Sequence, residues 1–143
     1  MAGSAARSRT RDGVLGDVVT ASARRAAYER AGHWNDDTLA GRVGAWATSQ
    51  PGALAVIDDR DRYTVGRLWD DARRLGTSLA RSGVAPGSVV SVQLPNRYEA
   101  AVTAVAIQGL GAVINPLLPN YRARELADVF TRARPTVIVT PAE

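Results

Sequence analysis

The sequence predicts an α/β fold, a parallel βαβαβ sheet flanked by helices, and three observations predict it. Three short β-branched runs, VVSVQL (Val89–Leu94), AVIN (Ala112–Asn115) and TVIVT (Thr136–Thr140), are separated by stretches of helical character. Turn residues punctuate them: Pro86–Gly87 before the first, Gly109 and Gly111 before the second, Pro135 before the third. Right-handed crossovers then place the three strands parallel in one sheet. The stretch Val84–Glu125 alone reads as turn, buried strand, capped helix, second strand, Pro–Asn loop and the start of another helix, which is a βαβ unit. At 143 residues the chain is one domain by length, and such a domain buries about 68–70% of its unfolded surface.

The elements follow in order. Residues 1–17 are expected to be a disordered basic tail, because Met1–Asp12 (MAGSAARSRTRD) is small, polar and Arg/Ser-rich without apolar periodicity. An organelle transit peptide is the alternative, but the amphipathic stretch it needs is missing, and so is the apolar core of a secretory signal. The folded domain is expected over residues 18–143. Val18–Trp34 is helix-prone and ended by Gly32. Asp37 or Thr38 caps a helix through Trp46–Thr48, with Leu39, Val43 and Trp46 on one face, and Pro51–Gly52 stops it. LAVID (Leu54–Asp58) is a strand, and the polar turn Asp58–Arg62 leads to a short strand at Tyr63, a hairpin.

Thr64 caps the clearest helix. Val65, Leu68, Ala72, Leu75 and Leu79 form its apolar stripe, while Arg67, Asp70, Asp71, Arg73, Arg74 and Arg81 face away, with Asp70 and Arg74 as an i,i+4 pair. Gly83 ends it. Asn96 is expected to cap the next helix, with Glu99 three residues on as in a capping box. From Ala100 to Leu110 that helix carries no charge, which implies burial on more than one side. Asn120–Tyr121 opens a last helix with Leu126, Val129, Phe130 and Ala133 inside.

Composition excludes several chemistries. Cysteine is absent, so disulfides, thiolate metal sites and thiol nucleophiles are excluded. All eighteen basic residues are arginine, so neither a Walker A loop nor Schiff-base chemistry is available. Three arginines lie in the first twelve residues against one acid, and the rest of the chain is close to neutral. No nucleic-acid partner is expected, since a basic face with stacking aromatics is lacking. The uncharged run Ala100–Tyr121 is broken by polar residues and prolines, so no membrane span is expected there.

Candidate motifs mostly resolve into structure. Gly109-Leu110-Gly111-Ala112 has a helix before it and a strand after it, the reverse of a dinucleotide fingerprint, so it reads as helix termination. His33, beside Trp34 on a loop, is a weak base candidate and reads as a packing or surface residue. Asp58, Asp59 and Asp61 lack the glycine and terminal glutamate of a calcium loop and read as a hairpin turn. One position fits a ligand geometry better. In open parallel sheets ligands sit beyond the carboxyl ends of the strands, here Leu94–Arg97 and Asn115–Arg122. Asn96, Asn115, Asn120 and Tyr121 could line a pocket there; the scaffold reading, with caps and proline-set crossovers, is preferred.

Three strings carry a family resemblance: RAAYERAGHW (Arg25–Trp34), YTVGRLWDDARRLGTSLARSGVAPGSVVSVQLPN (Tyr63–Asn96) and GAVINPLLPNYRARE (Gly111–Glu125). In order and spacing they resemble the start of the ATP-dependent, AMP-forming acyl-CoA synthetases. Within them they look most like the cyclohexanecarboxylate-type and aryl-acid CoA ligases. The resemblance implies that residues 18–143 are an incomplete N-terminal subdomain of an adenylate-forming ligase. It also implies a cytoplasmic protein whose full-length relatives use a small carboxylic acid, ATP, Mg2+ and coenzyme A. The family's phosphate loop, acidic ribose-binding motif and catalytic lysine would all follow residue 143 in family order. No catalytic, cofactor-binding or metal residue is therefore carried over, and no cofactor is assigned to these residues. The expectation is an N-terminal ligase fragment inactive alone. The alternatives are a non-catalytic module that assembles with a complementary ligase fragment and, less favoured, a small nucleotide-binding protein.

Overall fold

A computed structural model describes residues 22–141. The expected tail over residues 1–17, and the beginning of the helix-prone segment from Val18, lie outside the described residues. The elements are α1 (Ser22–Arg30), α2 (Leu39–Ser49), β1 (Leu54–Ile57), β2 (Arg62–Thr64), α3 (Val65–Arg81), β3 (Val89–Val92), α4 (Tyr98–Gly109), β4 (Val113–Pro116), α5 (Ala123–Ala133) and β5 (Val137–Val139). β1 and β2 form an antiparallel hairpin, and β4-β3-β5 form a three-stranded parallel sheet. The parallel α/β sheet and the hairpin are as the sequence predicts. No helix among the described residues is long and apolar enough to cross a membrane.

β3 is the central strand and all four of its residues are buried, which is why VVSV reads as a continuous run rather than an alternation. Val90 and Val92 enter the main core with Val102, Val105, Ala106 and Ile107 of α4. Val89 and Ser91 alternate to the opposite face. The chain steps from β3 out to β4, then returns across β3 to β5. Right-handed crossovers with that reversal put α4 and α5 on opposite faces. On the α5 face Ser91 is fully buried, and its hydroxyl accepts from the Asn115 side-chain amide at 2.9 Å.

α3 and α4 lie side by side on the first face, with α2 across them. The α3 stripe is as expected except that Leu75 stays half-buried and Gly76 joins it. Thr64 caps the helix, its hydroxyl accepting from the Arg67 amide at 3.3 Å. Thr64→Ala is expected to cost about 1 kcal/mol, read as a lower urea midpoint at unchanged slope. Both helices end in a Schellman motif. The amides of Gly83 and Val84 reach the carbonyls of Ala80 and Leu79 at 3.0 and 3.1 Å, and those of Gly111 and Ala112 reach Gln108 and Ile107 at 3.0 and 3.1 Å. Gly83 and Gly111 hold φ of 90° and 66°, where a side chain would be strained. In each case an apolar pair, Leu79 with Val84 and Ile107 with Ala112, is buried beneath the cap.

Three expectations are corrected. α2 buries Ala40 and Val43, while Leu39 and Trp46 are 45% and 41% exposed. Its inner face is the small side, because the Trp69 ring lies where a Cβ on Gly44 would sit, at 3.0 Å. Arg74 pairs with Asp71, not Asp70, and Asp71 is no longer part of a wholly solvated face because it receives a hydrogen bond from the core. α5 begins at Ala123, two residues after Asn120–Tyr121. Its apolar stripe is the predicted one, yet none of its residues is buried. A sheet of three short strands, with both outer strands only half covered, is too narrow to enclose that helix.

Candidate functional site

The carboxyl edge of the parallel sheet is where the fold offers a ligand site, and two loops form it. Gln93, the residue after β3, organises them. Its backbone amide donates to the Val139 carbonyl at 2.9 Å, and its side-chain amide donates to the carbonyls of Leu118 and Tyr121 at 3.1 and 2.9 Å. Leu117 is buried, with its amide on the Val92 carbonyl at 2.8 Å, whereas Leu118 is 56% exposed. Asn115 is committed to Ser91, Tyr121 is half-buried, and Asn96 and Asn120 are exposed. The polar groups brought together here thus hold the loops to each other.

Asn96 does not cap α4. The N-cap position is Arg97, which supplies no side-chain bond, and the Tyr98 amide is met by Asp58 Oδ2 at 3.1 Å, from the β1–β2 turn forty residues earlier. Asp58 Oδ1 also accepts from the amides of Arg60 and Asp61 at 2.9 and 3.1 Å. These amides, Arg60 first and then Tyr98, hold the Asp58 carboxyl below its ordinary value. Two flanking ion pairs reinforce the tie, Arg97–Asp59 at 3.1 Å and Arg60–Glu99 at 3.2 Å. Glu99 is therefore a partner of the hairpin rather than of Asn96. The aspartates form the expected hairpin turn, and they also dock it onto α4.

Behind this junction lies an aromatic stack that sequence reasoning missed. Tyr63 and Tyr98 stack at 3.7 Å with 5° between their planes, and the Arg67 guanidinium lies 4.9 and 5.7 Å from the two ring centres. The Tyr98 hydroxyl donates to Asp71 Oδ2 at 2.7 Å. Burial, then that hydrogen bond and the Asp71 charge, push the Tyr98 phenol far above its ordinary value, so it remains a donor. A tyrosine directly after a crossover loop was the available signal; a partner on another helix has no sequence spacing to reveal it.

The remaining candidates lie apart. His33 follows α1, edge-on to Tyr28 at 6.2 Å between ring centres, beside a concavity of about 550 Å³ edged by Arg25, Glu29 and Asp37. A larger open groove of about 920 Å³ runs between α3 and α4, floored by Ala72, Gly76, Ala106 and Gly109 and rimmed by Arg73 and Arg81. Gly109 closes the last turn of α4 and Gly111 reverses the chain, so the Gly-Leu-Gly string terminates a helix. Among the described residues no group of three or more acidic or histidine side chains is placed to hold a metal ion. Lysine is absent from the whole chain, and at the carboxyl edge the Gln93 side-chain amide is spent on loop carbonyls and that of Asn115 on the Ser91 hydroxyl.

Comparison with known proteins adds a family match. The model of the AMP-binding enzyme family matches residues 43–143. The chain is 35% identical over 116 residues to the 2-hydroxy-7-methoxy-5-methyl-1-naphthoate–CoA ligase of Streptomyces carzinostaticus, covering 81% of this chain and 21% of that one. It is 34% identical over 119 residues to the medium-chain fatty-acid–CoA ligase of Escherichia coli, covering 82% and 21%. Among solved structures, Mycobacterium smegmatis MbtA in its apo form superposes with a TM-score of 0.73 at 35% identity, covering 81% of this chain and 22% of that one. The N-terminal subdomain of Klebsiella oxytoca NpsA shares the fold, with a TM-score of 0.65 at 20% identity over 70% of this chain and 26% of that one. The chain spans about one fifth of the length of the curated relatives it matches.

Proposed function

The chain belongs to the AMP-binding enzyme family and corresponds to the N-terminal portion of an adenylate-forming ligase, and from that premise we propose that it is scaffold for an AMP-forming acyl- or aryl-acid–CoA ligase. In that reaction a carboxylate attacks the α-phosphate of ATP and pyrophosphate leaves. The thiol of coenzyme A then displaces AMP from the acyl group. The 143 residues contribute the β4-β3-β5 sheet and its covering helices, and none of them is assigned a catalytic, cofactor or metal role. The observation that carries this reading is the match to CoA ligases over about four fifths of the chain, set beside residues that contain no lysine and no phosphate loop. A cytoplasmic location belongs to the same reading, since ATP and coenzyme A are its co-substrates.

The pure 143-residue protein is expected to support no ATP–pyrophosphate exchange with aryl or medium-chain acids. Heat-labile exchange above a mock preparation would overturn the proposal. A second reading, a non-catalytic module that assembles with a complementary ligase fragment, is favoured by one observation: α5 has four inward apolar residues and buries none. Co-purification with a polypeptide bearing the phosphate loop and lysine would support it. A lone, well-behaved monomer in the same preparation would count against it.

A further inference from the structure

We propose that the Asp58–Asp61 turn is an electrostatic latch, which holds the start of α4 and the Leu94–Arg97 loop in one position and frees both together when Asp58 loses its charge. The inference concerns positioning at the carboxyl edge and holds whether or not the ligase reading does. Three ties cross from the turn to three consecutive residues: Asp58 to the Tyr98 amide at 3.1 Å, Asp59 to Arg97 at 3.1 Å and Arg60 to Glu99 at 3.2 Å. One carboxylate serves both sides. Asp58 Oδ1 closes the turn on the Arg60 and Asp61 amides, and Oδ2 faces the helix. A negative group at the first amide of α4 also opposes the positive end of its dipole.

The loop that this cap anchors is stiff, and Leu94 at its start packs against the core. Pro95 restricts it, and the Arg97 amide turns back onto the Pro95 carbonyl at 2.8 Å. α4 has no cap from its own sequence. The latch therefore links a hairpin outside the main sheet to a loop at the sheet's functional edge. The charged groups around Asp58 are Asp59, Arg60 and Asp61 on the turn, Arg97 and Glu99 at α4, and Arg67 on α3, which also approaches Asp61 at 3.7 Å. The Tyr63 and Tyr98 hydroxyls complete the set, both with raised pKa. Among these Asp58 carries a lowered carboxyl, so its stabilising contribution is complete above the ordinary carboxylate range. That contribution is lost as pH falls through the lower folded value.

The test is amide NMR on the full chain. Between pH 7 and pH 2 the Arg60, Asp61 and Tyr98 amide shifts are expected to move with one shared midpoint, below that of an unperturbed aspartate. At neutral pH, Asp58→Asn keeps one oxygen for the turn and sets an NH2 against the Tyr98 amide. In that variant the Tyr98 and Arg97 amides are expected to exchange about tenfold faster, the scale of one lost cap, while those of Leu68–Leu79 keep wild-type rates. A Tyr98 shift that ignores the Asp58 titration, or an Arg97 amide that exchanges normally in Asp58→Asn, overturns the latch. The second result would leave Asp58 as a turn residue alone.

Discussion

Ile107→Ala is expected to destabilise the chain by about 3–4 kcal/mol, a large fraction of the roughly 5–15 kcal/mol available to a domain. Ile107 has no exposed surface and sits on α4 between the sheet and the helices above it. The core cluster it belongs to is fixed from several elements: Val90 and Val92 by strand pairing, Ala72 and Leu79 by α3. The void left by three lost carbons therefore cannot be refilled by a local shift, and the cavity adds to the lost transfer energy. Urea denaturation with a constant slope is the measurement. Ile107→Val, which removes one carbon, should cost about 1 kcal/mol. If Ile107→Ala unfolds at the same urea concentration as Ile107→Val, the core is looser than its burial implies.

The second large effect is expected at Tyr98. Tyr98→Ala removes a ring stacked on Tyr63 and should cost about 3–5 kcal/mol. Tyr98→Phe keeps the stack and removes only the hydroxyl bonded to Asp71. A hydrogen bond to a charged acceptor is worth about 1.5–3 kcal/mol. The lower end applies, because Asp71 keeps Arg67 and Arg74 as partners and retains some exposure. A double-mutant cycle with Asp71→Asn isolates the bond. An additive cycle, with no coupling between the two positions, would show that the hydroxyl bond adds nothing to the tie between α4 and α3.

The parallel sheet was legible because its signals are local. β-branched runs, a proline–glycine turn and helix-ending glycines each report on their own neighbourhood, and the three strands pair as those signals require. The α3 and α5 stripes were legible for the same reason, since a periodic pattern fixes which side faces inward. How far that side is covered depends on what lies opposite, and α5 stays half-covered. On α2 the pattern misled: the larger side chains Leu39 and Trp46 outweighed Ala40 and Gly44 by hydrophobicity, but close helix packing selected the small ones. The α4 cap failed differently. Asn96 had the right identity and spacing, and a carboxylate forty residues away took the amide. Gln93 was passed over because a glutamine after a strand has no motif, although its two loop carbonyls make it the organiser of the candidate edge.

The paired glycine reversals at Gly83 and Gly111 also fix strand register. The amide of Gly87, just past the first reversal, donates to the carbonyl of Gly111 at 2.8 Å, so the two points where the chain turns from helix to strand are joined. That join precedes the first strand pair, Val89 with Val113. The alignment of β3 and β4 is therefore set at the turns as well as along the strands. A one-residue slip would have to displace both reversals at once. β3, α4 and β4 thus form a unit closed by contacts local in sequence, the kind that costs little loop entropy, and β5 pairs with the other edge of β3.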